Sequence, residues 1–234
     1  MTPHSLCATV VALATFGMAG CLCPPCPGAG GAAGPVAGPA PAENAPAGPV
    51  ATGSRLVIWD GDQAGGGAQG WESCDQKPNC QVKVARDSGS GTNGSTSLKF
   101  HGEGSGWIGM GWNLFGWYPE NAGVDLGPYT HLTFQIRVDM KSDGATPPDP
   151  GAAAVLLGCS ANKNADSADA VIDKFAKGFT DGKWHNVSIP TSTFTKGKGA
   201  KFDPHSFWEF RISTWSGVPR TFDIYIDDLA AEKH

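Results

Sequence analysis

Residues 54–234 are predicted to form an all-β domain, an antiparallel β-sandwich of two sheets, and three observations lead to this fold class. Apolar and polar residues alternate along several runs, which is the pattern of strands with one buried face. About nine such runs are separated by Gly, Pro, Asn and Asp, the residues of tight turns. The one helix that we expect is short, near Ala165 to Phe175.

The predicted strands can be assigned in order along the chain. They cover residues 55–59, 81–85, 97–101, 107–114, 131–138, 153–158, 184–189, 207–215 and 221–229. The run 131–138 shows the alternation most clearly, because every second residue from Leu132 to Val138 is apolar. The opposite faces of the strands at 131–138, 207–215 and 221–229 carry polar and aromatic side chains that are unusual for a solvent-facing surface. These are Gln135, Arg137, Glu209, Arg211, Trp215 and Tyr225.

The residues before this domain have a different composition and are predicted not to fold. Residues 1–53 contain no Lys, Arg or Trp, and Glu43 is their one acidic residue. From residue 22 to residue 53, 24 of 32 residues are Gly, Ala or Pro. Such a segment buries too little apolar surface to offset the entropy of ordering. We therefore predict a disordered Gly/Ala/Pro-rich tether over residues 21–53.

Residues 1–20 are predicted to be a lipoprotein signal peptide. An apolar stretch from Leu6 to Gly17 is too short to span a membrane but has the length of a signal-peptide core. The Met18-Ala19-Gly20-Cys21 sequence that follows resembles the lipobox of bacterial lipoproteins, which implies lipidation of Cys21 and a membrane anchor. The alternative is an ordinary signal peptide that is cleaved near Ala19 or Gly20. Both interpretations predict export, with the anchored form facing the periplasm or lying on the cell surface.

Cysteine usage is consistent with an oxidising compartment. Cys74 and Cys80 are six positions apart in a polar segment, and we interpret them as a loop-closing disulfide. Zinc is an alternative at Cys23 and Cys26, but no second pair of ligands stands at a suitable spacing.

Charge and motifs exclude several classes of function. The formal net charge of -5 gives no basic face for a nucleic acid, so we expect no nucleic-acid partner. The sequence has no nucleophile elbow, no zinc-protease motif and no phosphate-binding loop. The Gly-x-Gly-x-x-Gly pattern at 104–109 leads into a predicted strand and lacks the βαβ unit of a dinucleotide site. We therefore expect no enzyme, with a small glycan-active hydrolase as the minor alternative.

Five short motifs, in this order, resemble the galactose-binding-like jelly rolls that serve as carbohydrate-binding modules, nearest to family 11 and its relatives. They are 57–62 with Gly70-Trp71 downstream, 94–100, 107–111 with 124–129 and the strand at Leu132, 182–190 with Phe194, and 223–229. The resemblance covers residues 55–232. It implies a jelly-roll sandwich that binds a polysaccharide or oligosaccharide, such as a β-glucan, without cleaving it.

The resemblance also implies two sites. Modules of this kind commonly hold a structural calcium ion, and Asp60, Asp62 and Asp227 stand where the family supplies its ligands. The alternative is that these residues only end strands and stabilise turns. For the carbohydrate site, the resemblance implies the polar strand face named above, with Trp107 as a further aromatic surface. A salt-bridge ladder among Arg137, Glu209 and Arg211 is the structural alternative.

A second class of function stays open from the sequence. A structural or adhesion lipoprotein could use the same sandwich to contact a protein or envelope partner. Solvent exposure distinguishes the two, because a groove lined by aromatic and polar side chains indicates sugar, whereas a flat apolar patch indicates a protein partner.

Overall fold

A computed structural model of the chain describes residues 50–61, 69–114, 123–141, 152–159 and 165–234, and these residues form an all-β fold, as predicted. The strands are β1 (Val50–Thr52), β2 (Arg55–Trp59), β3 (Gln69–Cys74), β4 (Gln81–Ser88), β5 (Thr96–Asn113), β6 (His131–Lys141), β7 (Ala152–Cys159), β8 (Ala170–Val171), β9 (His185–Pro190) and β10 (Phe207–Glu232). Single-turn 3-10 helices lie at Thr92–Gly94, Ile172–Lys174, Thr191–Thr193, Gly197–Gly199 and Pro204–Ser206. No helix in these ranges is long and apolar enough to cross a membrane.

Two long strands form the centre of the fold. β5 has 18 residues and β10 has 26, and they pair antiparallel from Glu209 opposite Asn113 to Ile226 opposite Leu98. β3 and β4 both pair with β5, over its second and first parts respectively. On its other side β10 pairs with β7 and β6, and its last residues also pair with β2. All ladders among the described strands are antiparallel, and each depends on this central pair directly or through one neighbour.

The central pair folds back on itself, which creates the two layers of the sandwich. Its ladder is interrupted between Ser216 and Arg220, opposite Gly104 and Gly106, whose φ angles are 120° and 77°. These positive angles suit glycine, which has no Cβ to clash with the backbone. Phe134 lies on β6, which pairs with the C-terminal part of β10. Its ring centroid nevertheless lies only 5.4 Å from that of Phe210, near the start of β10. An extended strand would separate these two levels by roughly 50 Å.

Each layer therefore contains one part of both long strands. The first layer consists of β4, residues 96–103 of β5, residues 220–227 of β10, β6 and β9. The second layer consists of β3, residues 106–113 of β5, residues 207–216 of β10, β7 and β8. Even-numbered residues of β5 and β10 form much of the core between the layers, and they include Leu98, Phe100, Ile108, Met110, Phe210, Ile212, Phe222, Ile224 and Ile226. The odd-numbered residues from 209 to 215 and from 221 to 225 of β10 point away from this core, whereas Phe207, which precedes a register shift, belongs to it.

The prediction of a short helix near Ala165 to Phe175 is wrong. This segment lies beside β7, where the Ser167 backbone N–H donates to the Leu157 carbonyl at 2.9 Å and the Leu157 N–H donates to Ser167 Oγ at 2.8 Å. It continues as the two-residue strand β8 and the 3-10 turn Ile172–Lys174. Because backbone groups of this segment form hydrogen bonds with the edge of β7, they do not need a helix to be satisfied.

Sequence analysis also divided the long strands and missed three short ones. The predicted strands 97–101 and 107–114 are parts of β5, and 207–215 and 221–229 are parts of β10. Gly and Pro at the bend have the composition of a turn, but the ladder continues across it as a bulge. β1, β3 and β8 were not predicted, because each is short and has few apolar residues in alternation. β1 lies within residues 21–53, the segment predicted to be a disordered tether, and it pairs there with β2.

A disulfide joins Cys74, the last residue of β3, to Cys80, which directly precedes β4, with 6.5 Å between the two Cα atoms. Both sulfur-bearing side chains are buried. The bond connects an edge strand of the second layer to an edge strand of the first, since β3 and β4 pair with different parts of β5.

Replacing Cys74 and Cys80 by Ser should lower the free energy of unfolding by about 2 kcal/mol. Without the cross-link, the unfolded chain has more conformational entropy and is therefore more favourable. Chemical denaturation of the variant and of the wild type measures this difference. The wild type in the presence of a reductant is the matched control and should lose a similar amount. Equal stability of the oxidised wild type and the variant would contradict the prediction.

Candidate functional site

Two tryptophans lie against glycines on the outer face of the second layer. Trp71 on β3 is paired with Gly111 on β5, and a methyl group added at Gly111 would collide with the Trp71 indole. A methyl group added at Gly109 would collide with the Trp107 ring. The two glycines are two residues apart on one strand, so both point outward. Their missing side chains leave space in which each indole lies directly on the backbone of the sheet.

Hydrogen bonds hold both indoles in place. Trp71 Nε1 donates to Glu209 Oε1 at 2.6 Å, and Trp107 Nε1 donates to the hydroxyl of Ser213. Trp71 and Trp107 are half-buried, so part of each ring faces solvent. Trp215, which is paired with Trp107 in the ladder, is 59% exposed. We call Trp71, Trp107 and Trp215 the aromatic platform.

A cluster of charged side chains adjoins the platform at Trp71. Arg211 donates from Nε and Nη2 to the two oxygens of Glu209, each at 3.1 Å, and from Nη1 to Asp166 Oδ2 at 3.1 Å. The Arg211 guanidinium also lies 5.1 Å from the centre of the Trp71 ring, a cation–π distance. Glu209 is only 5% exposed, whereas Asp166 is exposed.

These contacts stabilise the positive charge of Arg211. Burial alone would lower the pKa of its guanidinium, but the hydrogen bonds to Glu209 and the nearby carboxylates outweigh burial and raise the pKa above its ordinary value. The salt-bridge interpretation thus applies to Glu209 and Arg211. It does not apply to Arg137, whose Nε lies 3.4 Å from Asp139 in the other layer.

The structure places the seven predicted carbohydrate-binding residues on two different outer faces. Glu209, Arg211, Trp215 and Trp107 come together on the second layer, whereas Gln135, Arg137 and Tyr225 lie on the first. The alternation of residues in β10 is the same in both parts, but the strand folds back between them. Period-two patterning shows which residues point outward, and it does not show which layer they belong to.

On the first layer, Arg137 covers Tyr225 and leaves it little contact with solvent. The Arg137 guanidinium lies 4.1 Å from the centre of the Tyr225 ring and 5.2 Å from that of Trp184. Tyr225 is 6% exposed. Gln135 donates from Nε2 to Asp228 Oδ2 at 3.0 Å. In this arrangement the Tyr225 ring offers no open face to a ligand.

Sequence analysis missed Trp71, Asp166 and Ser213 as site residues. A signal for Trp71 was present, since Trp107, Gly109 and Gly111 alternate along one predicted strand and leave space for a second flat ring. The partner of Gly111 could not be found without the register of β3. Two further aromatic residues that could line the edge of a groove, Trp117 and Tyr118, lie outside the described residues.

The predicted calcium ligands lie near one another, but Asp227 already has hydrogen-bond partners. Asp227 is fully buried, and its Oδ2 accepts from the Thr92 N–H at 2.7 Å, from Thr92 Oγ1 at 2.8 Å and from Ser95 Oγ at 2.7 Å. A methyl group at Gly61 would collide with the Thr96 carbonyl beside Asp227, so the loop after Asp60 adjoins this cluster.

Oxygen atoms that accept three hydrogen bonds have no lone pair left for a metal ion, so Asp227 Oδ2 does not fit a calcium ligand in this arrangement. The described residues contain no group of three or more His, Cys, Asp or Glu that could hold a metal. Asp62 lies outside them. Calcium binding therefore stays a prediction.

Replacing Asp227 by Asn should destabilise the domain by roughly 3 kcal/mol, because a buried charged acceptor with several donors is lost and the new amide N–H groups face other donors. Urea denaturation measures the change in the free energy of unfolding. Asp173→Asn, at an exposed position, is the matched control and should have little effect. If both variants have wild-type stability, the role assigned to Asp227 is wrong.

Comparison with protein families gives one match, and it covers most of the described chain. Residues 55–233 match the model of carbohydrate binding domain 30. No curated protein matches the sequence.

Several solved structures are similar to this chain. The family 30 carbohydrate-binding module of a cellulosomal cellulase of Clostridium thermocellum has a TM-score of 0.50 and 19% identity, over 70% of this chain and 91% of that one. A family 11 module from the same organism, solved in complex with a β-1,3-1,4-mixed-linked tetrasaccharide, has a TM-score of 0.49 and 13% identity, over 78% and 98%. A β-1,2-glucanase from Parabacteroides distasonis has a TM-score of 0.50 and 15% identity, over 75% of this chain but 24% of the glucanase.

Proposed function

Because the chain belongs to the family of carbohydrate binding domain 30, which confirms the expected type of jelly-roll module, we propose that it binds a polysaccharide without cleaving it and does so at the aromatic platform. The observation that carries the location is the pair of indoles lying over Gly109 and Gly111 on an outer sheet face.

The platform has the chemistry that sugar rings require. The C–H faces of a pyranose are apolar and stack on flat aromatic rings. Gly109 and Gly111 are about 7 Å apart along the strand, so the rings above them provide one extended apolar surface. Hydrogen bonds from both indole N–H groups hold the rings before any ligand arrives, which reduces the entropy lost on binding. This surface suits consecutive residues of an extended glycan chain.

The charged cluster beside Trp71 supplies the polar part of the site. Asp166 is exposed and Arg211 is partly exposed, so both can exchange hydrogen bonds with sugar hydroxyls at the edge of the platform. Glu209 holds Trp71 and Arg211 from below and acts on the ligand only through them. With two or three aromatic contacts in an open site, we expect a dissociation constant of roughly a micromolar to a millimolar.

The same contacts argue against hydrolysis at this face. A glycosidase needs one carboxyl group that gives a proton and a second that acts as base or nucleophile. Both oxygens of Glu209 accept hydrogen bonds, and the residue is 5% exposed. Asp166, the other carboxylate of the cluster, is paired with the same arginine. Both carboxylates are engaged by Arg211, which supports the proposal of binding alone.

The N-terminal residues extend the proposal to location. Lipidation of Cys21, followed by the tether at residues 21–53, would hold the folded domain at a bacterial membrane after export. Mass spectrometry of the mature protein tests this, since an acylated Cys21 adds the mass of its lipid and Cys21→Ala removes it. An unmodified Cys21 would contradict the anchor and leave the carbohydrate site unaffected.

Replacing Trp71 and Trp107 by Ala should abolish glycan binding, since each buried aromatic contact contributes roughly 1.5 to 3 kcal/mol. Affinity electrophoresis against a panel of soluble β-glucans, followed by calorimetry with the best ligand, measures the loss. Trp184→Ala is the matched control, because Trp184 lies on the first layer beneath Arg137 and should leave binding unchanged. Retained binding in the double variant would refute the location, and no binding of the wild type to any glycan would refute the function.

Calcium is tested separately from sugar binding. If Asp60, Asp62 and Asp227 hold a calcium ion, EDTA should lower the melting temperature of the domain and added calcium should restore it. An unchanged melting curve in EDTA would support the alternative, in which the hydrogen bonds of Asp227 hold these loops without a metal.

A further inference from the structure

A second cleft lies on the outer face of the first layer, on the side of the sandwich opposite the aromatic platform. It has a volume of about 300 Å³. Its lining residues are Lys83, Ala85, Arg86, Asp87, Lys99, His101, Lys141 and Asp223. Apart from Arg86, these are outward positions of four neighbouring strands, since Lys83 is paired with His101 and His101 with Asp223. We call this feature the basic cleft.

The charge of the basic cleft is opposite to that of the whole chain. Apart from His101, four basic and two acidic residues line it, which gives a formal charge of +2. The chain as a whole has a formal net charge of -5. The cleft is therefore a local positive site on an acidic protein, where the field attracts anions at short range.

The floor of the cleft is fixed by Asp223. Its side chain is 8% exposed and accepts from Lys99 Nζ at 3.1 Å and from His101 Nδ1 at 2.7 Å. Burial alone would raise the pKa of Asp223, but the hydrogen bonds from His101 and Lys99 outweigh burial and lower it, so the carboxylate stays ionised. These contacts orient Lys99 and His101 and leave the His101 Nε2 unused by Asp223.

The two rims carry the exposed charges. Lys83 on β4 and Lys141 at the end of β6 are both exposed, and no ion pair found among the described residues includes either of them. Two strands separate β4 from β6, which places the rims about 14 Å apart at the level of the backbone. The Arg86 guanidinium lies 5.4 Å from the centre of the Trp112 ring, and its charge adds to the positive field of the cleft.

We propose that the basic cleft is a second ligand site, which binds the carboxylates of an acidic, uronic-acid-containing saccharide between Lys83 and Lys141. Ammonium groups are compact donors that suit single carboxylates. A phosphate site typically adds free backbone N–H groups or arginine forks, and here the backbone N–H groups of β5 and β10, which form the floor of the cleft, belong to the sheet ladders. The methylene stems of the lysines and Ala85 provide apolar contact for a sugar ring. This site does not depend on the aromatic platform.

The test is calorimetric titration of the full chain with a galacturonic acid trisaccharide and with the neutral galactose trisaccharide of the same linkage. The acidic sugar should bind, more weakly as salt is raised, and the neutral one should not. Lys83→Gln/Lys141→Gln should weaken binding about tenfold, since two partly exposed ion pairs are lost. Lys177→Gln/Lys198→Gln removes the same charge from exposed positions elsewhere and should bind as the wild type does.

Three results would overturn the proposal. The first is equal binding of the neutral trisaccharide, and the second is wild-type affinity in the Lys83/Lys141 variant. The third is inorganic sulfate binding as tightly as the acidic sugar with the same dependence on the two lysines, which would make the cleft a plain anion site. Trp71→Ala/Trp107→Ala should leave uronate binding unchanged while neutral glucan binding is lost, so the two sites fail independently.

Discussion

The pairing of β5 with β10 is the constraint on which the rest of the structure depends. The two strands run side by side through both layers and fold back together at Gly104, Gly106 and the bulge between Ser216 and Arg220. Each of the other ladders attaches to one of them, or to a strand that does. Because both strands keep their alternation across the bend, their inward residues form one core, and the contact between Phe134 and Phe210 closes it. The bend therefore determines the core and also creates two outer faces with different side chains.

The two faces differ in chemistry because of what β5 places on each. In the second layer its outward residues after Trp107 are Gly109 and Gly111, which leave space for two indoles. In the first layer its outward residues are Lys99 and His101, which join a network around the buried carboxylate of Asp223. The outer face of the second layer presents flat apolar rings, and the outer face of the first layer presents positive charge. One sheet can thus offer a surface for neutral sugar rings and a cleft for anions on opposite sides.

Sequence patterning predicted some levels of this structure well and others poorly. The all-β class, the positions of the main strands and the type of module are confirmed, since each depends on local alternation or on motifs in order along the chain. The short helix near Ala165 is wrong, because the edge of β7 competes for its backbone groups. Trp71 was missed because its role follows from the glycine opposite it in the ladder. The seven predicted binding residues separated into two groups, because a period of two gives the side of a strand and not the layer.

The sequence by itself determined the all-β class, the apolar face of each main strand and which residues point outward. These properties follow from composition and from periodicity over a few neighbouring residues. The leader and tether at residues 1–53 stay a prediction. Only the tertiary structure decided which outward residues share a face. That choice depends on where β5 and β10 fold back and on which strand lies opposite each glycine, and both are contacts between residues far apart in the chain.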